Sequence, residues 1–211
     1  FVQWYFTLIP LLSSRKIHFI CHIMKDVPPQ TSTQTEVKIV DAAIRCFLRF
    51  GARKTSMNDI ARHAGVSRQT LYDLIGGKDE LIRASVRQIT DQSLATIRVH
   101  LEDCSTLDEK LNAYFQETVI KSFEMLQTAG DPEDLISGHN EAGAEAIRES
   151  HDRQNELVAK ILAEHATDQA SVKRLANFIV SVAMSFKYVK DRAELDELLG
   201  ILMDSARALS K

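Results

Sequence analysis

Arg68, Gln69 and Asp73 share the outward side of a short helical pattern, with Thr70 and Tyr72 near its edges. A guanidinium matches the two acceptors on a guanine edge, and a glutamine amide matches the donor and acceptor of adenine. Arg68 and Gln69 are therefore candidate base readers. Tyr72 suits a phosphate oxygen, its ring against the protein and its hydroxyl outward. Lys78 starts the next helix, where its ammonium and the free backbone N–H groups form a phosphate clamp. Thr55 and Ser56 offer a second such place at the start of the preceding helix, extended by Arg53 and Lys54. Asp73 has the wrong charge for a phosphate. It can accept from a cytosine amine or pair with an arginine.

The elements that must hold these groups are short. Val40, Ala43, Ile44, Phe47 and Phe50 recur at three- and four-residue steps, which predicts a helix over 36–50 that Gly51 ends. Ser56 caps a second helix, with Asp59 in the capping-box position. Gly65 takes the left-handed turn residue. Ser67 caps a third helix over 68–74. Gly65-Val66-Ser67 between two short helices suits a helix-turn-helix. A long helix is expected over 78–101, another from the Thr106/Glu109 box to about residue 129, and one or two turns over 133–137 after Asp131-Pro132. Further helices are expected over 142–166, 171–189 and 192–209, the last capped by Asp191 with Glu194. No strand-like alternation of any length occurs, so the chain reads as all-α, with about nine helices.

Charge divides the chain. From Lys38 to Arg83 there are nine Lys and Arg against five Asp and Glu; from Ala84 to Lys211 there are fourteen against twenty-two. A basic head can face phosphates while an acidic body is repelled by them. Cys21, Cys46 and Cys104 are too few and too scattered for a disulfide scaffold or a zinc site, and a reducing cytoplasm fits them. Cys46 belongs to an apolar helix face. The first 23 residues are apolar and aromatic, too short to span a bilayer and in the wrong charge order for a signal peptide. Met24 is the expected biological start; the other reading is a membrane-attracted extension. The expected division is 1–35 as extension and lead-in, 36–83 as DNA-binding head and 84–211 as body.

The string IVDAAIRCFLRFGARKTSMNDIARHAGVSRQTLYDLIGGKDELI closely resembles the head of TetR-type transcriptional regulators. Its first helix ends in Phe-x-x-x-Gly, a Thr/Ser step follows, then D-I-A-x-x-A-G-V-S-x-x-T-L-Y and a lysine at the next helix start. The resemblance implies a homodimer on a palindromic operator, usually a repressor, released when a small molecule binds the body. It also implies phosphate contacts at Thr55 or Ser56, Tyr72 and Lys78, and base reading from Arg68, Gln69 and Thr70. Ile75 and Asp73 depart from the family pattern, which favours an aromatic at the first and His or Tyr at the second. That puts a phosphate role for position 73 in doubt, but not the fold.

The body must then supply a dimer and a pocket. Two heads on successive major grooves stand about 34 Å apart. The stripes containing Phe178, Val182 and Phe186, and Leu195, Leu198, Leu199 and Leu202, suit a four-helix bundle across a twofold axis. The bland alternative is that both stripes pack inward. Tyr114, Phe115, Thr118, Asn140, Ile147 and His151 are the candidate lining of a ligand cavity. The helix over 78–101 joins head to body and is the expected lever of a linkage switch. No nucleophile elbow, Walker-type loop or dinucleotide-binding glycine pattern is present, so no enzyme is expected. His139, Glu141 and Glu145 are the nearest approach to a metal cluster, but an exposed helix face explains the glutamates equally. No metal, cofactor or membrane contact is expected. The competing function is a helical partner-binding protein, or a non-specific DNA binder, that keeps only the fold.

Overall fold

Ser56, Ser67 and Thr106 lie in extended backbone and accept from the N–H three residues on, so three helices start at these caps. The computed structural model of the chain describes residues 34–131, 134, 141–165 and 169–209. The expected extension before Met24, most of the turn expected over 133–137, and His139 and Asn140 lie outside the described residues. Within them the chain is all-helical. The head comprises α1 (Gln34–Phe50), α2 (Met57–Ala64) and α3 (Arg68–Ile75). The body runs from α4 (Lys78–Leu101) through α5 (Leu107–Phe115), α6 (Lys121–Gln127), α7 (Glu141–Ala163) and α8 (Gln169–Ser185) to α9 (Arg192–Leu209). A 3₁₀ turn, Phe186–Tyr188, follows α8.

One local departure from the expected pattern matters. The helix beginning at Leu107 does not run uniformly to residue 129. Gln116–Ile120 is a π-helical segment between α5 and α6, in which the Lys121 N–H reaches back five residues to Gln116 O. Such an insertion rotates the residues that follow it relative to a regular helix.

Two apolar clusters form. The head cluster gathers Ile39, Ala43, Phe47, Ile60, Ala61, Leu71 and Leu81. The body cluster gathers Leu94, Ile97, Leu111, Tyr114, Phe115, Val158, Ile179 and Leu195 among others. Cys46 is buried in the head cluster, and burial pushes its thiol pKa up, which keeps it a core side chain rather than a thiolate. Gly65 has φ +66° and ends α2 with its N–H on Ala61 and Arg62 carbonyls, the left-handed conformation the turn requires. Helix α4 packs on α1 in the head and on α5 and α7 in the body.

A second link joins head to body. The Gly130 N–H donates to Leu48 O at 3.0 Å, at the C-terminal end of α1. A Cβ at Gly130 would stand 1.9 Å from Arg49 O. Beside it, Asp134 takes the Arg53 side chain at 2.6 Å and the Arg53 amide at 2.9 Å. Asp131 takes Lys54 at 2.8 Å. Gly130→Ala should lower stability by about 1–3 kcal/mol, because backbone rather than a flexible side chain blocks the methyl. A urea midpoint unchanged from the parent would show that the seam is not tight. The Lys54 ammonium also holds the Asp131 carboxyl below its ordinary range. A carboxyl lowered by folding stabilises above its unfolded pKa and stops doing so as pH falls through the folded value. The melting-temperature gap between parent and Asp131→Asn should therefore be present at neutral pH and close as pH falls below the usual carboxylate range.

Candidate nucleic-acid interface and body cavity

Helix α3 presents Arg68, Gln69, Tyr72 and Asp73 to solvent, while Leu71 is fully buried and anchors the helix to the head core. Tyr72 is 42% exposed, which places its ring on the surface rather than in the core. Thr70 is half-buried. Its N–H and hydroxyl both meet Ser67 Oγ, at 3.0 and 2.8 Å, so it is engaged in the cap of its own helix.

Asp73 has a local partner that sequence reasoning missed. Gln69 Nε2 donates to Asp73 Oδ1 at 2.7 Å. The two are four residues apart, a spacing at which Gln and Asp pair on one helix face. The Gln-x-x-x-Asp spacing carries this signal, whereas charge alone points Asp73 to an arginine. The bond occupies one amide hydrogen of Gln69 and fixes its direction.

The phosphate candidates divide. Ser56 is exposed; its amide and hydroxyl both meet Asp59, whose carboxyl is held below its ordinary range chiefly by the Ser56 hydroxyl. Thr55 corrects the expectation for its side chain. It is 2% exposed, and its hydroxyl donates to Gly51 O at 2.7 Å, locking the α1–α2 turn instead of reaching outward. Lys78 is half-buried, with its ammonium donating to Arg53 O at 3.3 Å. Arg53 and Lys54 keep exposed side chains but are paired to Asp134 and Asp131.

Below the head lies a cavity of about 590 Å³. Its roof is head residues, including Ile44, Phe47 and Arg53, with Lys78 at the start of α4 beside them, and its walls come from α4, the α5–α6 rod, α7 and α8. Of the expected lining, Tyr114, Thr118 and Ile147 are present. Phe115 is buried against Tyr114 in the body core, with ring centroids 5.4 Å apart, and does not line the cavity. His151 is half-buried away from it. Asn140 is outside the described residues. Glu117, Gln154 and Ser150 were not foreseen. Glu117, three residues after Tyr114 and on the same helix face, is 6% exposed, and Tyr114 Oη donates to Gln154 Oε1 at 2.8 Å. Burial pushes the Tyr114 phenol pKa upward, so it remains a neutral donor.

Of the expected dimer stripe, Leu195, Leu199, Leu202 and Phe186 are at most 8% exposed within a single chain, and Val182 and Leu198 are half-buried against the same core. These six do not form an open face; the inward alternative holds for them. Phe178 does stand outward, at 45% exposed, and Ile201 on α9 is 57% exposed.

Residues 39–85 match the family model described as bacterial regulatory proteins, tetR family. The head of the chain is thus a TetR-type head. A curated relative, an uncharacterised HTH-type transcriptional regulator YezE of Bacillus subtilis (strain 168), is 32% identical over 81 residues, covering 38% of this chain and 42% of that protein. The chain thus spans about two fifths of the length of the curated relatives it matches. A transcriptional regulator from Rhodococcus sp. Rha1 superposes with a TM-score of 0.64 at 16% identity, over 84% of this chain and 96% of that one. A TetR transcriptional regulator from Legionella pneumophila gives 0.62 at 17%, over 87% and 100%. At such identities the shared fold is what the superpositions establish.

Asp73→Ala should release the Gln69 amide and change preference at the base pair it faces. Selection of duplexes from a random pool would reveal it. An identical recovered sequence for parent and variant would show that Gln69 reads no base.

Proposed function

We propose that this chain is a ligand-responsive transcriptional regulator that binds a palindromic operator as a homodimer, acts as a repressor and is released by a small molecule. The observation that carries this reading is the pairing of an outward α3, bearing Arg68, Gln69 and Tyr72 on a TetR-family head, with a cavity roofed by that same head. The family assignment supports a regulator rather than an enzyme. Among the described residues no helix is long and apolar enough to cross a membrane.

In this reading Arg68 and Gln69 contact base edges, with Thr70 near the groove through its methyl. Ser56, Tyr72 and Lys78 take phosphates, and Thr55 contributes backbone only. Lys78 must leave Arg53 O to do so. Effector contacts fall to Tyr114, Thr118 and Ile147, joined by Glu117 and Gln154. The twofold contact uses the outward faces of α8 and α9 around Phe178 and Ile201. The Gln69–Asp73 bond favours a second reading, in which the head binds DNA with little base discrimination.

One experiment separates the two. Duplex selection with the full chain at several salt concentrations should recover an inverted repeat, and Arg68→Ala should reduce affinity for it by about 1–3 kcal/mol. A steep salt dependence with no recovered repeat would favour the second reading. The double variant Phe178→Asp, Ile201→Asp should sediment as a monomer and lose the repeat; an unaltered dimer would place the interface elsewhere.

A further inference from the structure

The cavity wall carries several hydroxyls, and the hydrogens of Ser85, Thr90, Thr118 and Ser122 are used within the protein. Ser85 donates to Leu81 O at 2.7 Å, Thr118 to Tyr114 O at 2.8 Å and Ser122 to Thr118 O at 2.6 Å. A carbonyl can only accept, so the direction of each bond is settled. Thr90 Oγ1 lies 2.9 Å from Val86 O and 2.8 Å from Ser150 Oγ. Its one hydrogen is shared between these two acceptors. Gln154 Nε2 in turn donates to Ser150 Oγ at 3.2 Å. Tyr114 spends its hydrogen on Gln154. These groups leave oxygen lone pairs to the cavity, beside the Ser150 hydroxyl hydrogen and the second Gln154 amide hydrogen.

Glu117 adds a charge of the same character. Its Oε2 pairs with Lys121, whose side chain is 60% exposed and approaches from the solvent side. Its Oε1 has no partner among the described residues. The cations that touch the cavity are turned elsewhere. Arg53 is on Asp134, Lys78 is on Arg53 O, and the Lys187 ammonium stands 5.1 Å from the centre of the exposed Tyr188 ring. The rest of the lining is largely aliphatic and aromatic, including Leu94, Ile147 and Met125. A volume of about 590 Å³ suits a drug-sized molecule. The Glu117 carboxylate repels a ligand carboxylate, which brings only acceptors and the same charge, and matches a group that brings hydrogens and a positive charge.

We propose that the cavity binds a lipophilic amine, with its ammonium on Glu117 and its apolar body against α4, α7 and the underside of the head. This rests on the reading of the cavity as the effector site and adds the chemical class of the effector. The i, i+3 spacing of Glu117 from the buried Tyr114 is what turns the carboxylate inward; Lys121 is its placeholder until the ligand arrives.

The test is calorimetric titration of the full chain with three probes of one shape: 4-phenylbutylamine, 4-phenylbutanol and 4-phenylbutyrate. The amine should bind at least about tenfold more tightly than the carboxylate, with the alcohol between them. Glu117→Gln should weaken the amine by at least about tenfold and leave the alcohol nearly unchanged. Lys121→Gln, at an exposed position that leaves the core untouched, should strengthen the amine, the opposite sign. Equal or tighter binding of the carboxylate, no response to either substitution, or binding of none of the probes would overturn the proposal. Operator affinity measured with and without the amine separates this from the broader reading. A recovered operator with no amine binding leaves the regulator and removes the ligand class. Amine binding through Glu117 without any change in operator affinity leaves the ligand class and removes the switch.

Discussion

The Gly130 backbone lies so close to the Arg49 carbonyl that no side chain fits between them. That approach holds the far end of α1 against the body, while α4 holds the near end of the head. With both in place, the lower face of α1 and the start of α4 form the roof over the cavity. The two flanking pairs differ. Lys54 is 71% exposed, and a pair so placed contributes about 0–1 kcal/mol. The Asp134 carboxylate is 1% exposed, so removing Arg53 would leave a buried charge. Steric fit sets the position of the head, and the charges select one docked arrangement among the few that the fit permits.

The same two cations also belong to the surface that faces phosphate in the proposed function. In that reading, Asp131 and Asp134 occupy the place phosphate oxygens would take. A duplex approaching the head meets side chains already extended and held, which lowers the ordering cost of contact, but it must compete with carboxylates for them. Lys78 repeats the arrangement with the Arg53 carbonyl. The apparent surplus of positive charge in the head is therefore partly spoken for, and its net field is smaller than residue counting implies.

Local signals were legible because they depend on a few neighbouring residues. Ser56, Ser67, Thr106 and Asp191 start helices because their side-chain oxygens accept from backbone N–H groups, a geometry complete within one turn. Gly65 was legible for the same reason. The π segment was not, since Gln116–Ile120 contains no glycine or proline and the extra residue per turn follows from how Tyr114 and Glu117 pack across the body. The dimer stripe misled because periodicity groups residues on a face without saying which of two apolar faces turns outward. Leu195, Leu199 and Leu202 share the inner face of α9, leaving Ile201 outside. At the head, Thr55 looked like Ser56 by composition, yet the methyl of threonine suits burial, and its hydroxyl finds Gly51 O one turn back. In the body, Tyr114, Thr118 and Ile147 line the cavity as their helix positions suggested, whereas Glu117, on the same helix face as Tyr114, was passed over because its charge marks it as a surface residue.

A switch requires two arrangements of the head that differ by an amount a ligand can supply. Shifting a population from 1:99 to 99:1 takes about 5.5 kcal/mol of differential affinity. Helix α4 alone is a poor place to find it, because its path from Lys78 to Leu101 is packed against α1, α5 and α7 along its length. The cavity offers a shorter route. Ile44, Phe47 and Arg53 line it directly, so a molecule there touches the head without an intermediary. The Lys54–Asp131 pair resists displacement only weakly, whereas the Asp134 carboxylate is buried and the Gly130–Arg49 approach tolerates almost no sliding. In the proposed function, a contact so strict is either seated or broken, which is the two-position behaviour that an occupant of the cavity would bias.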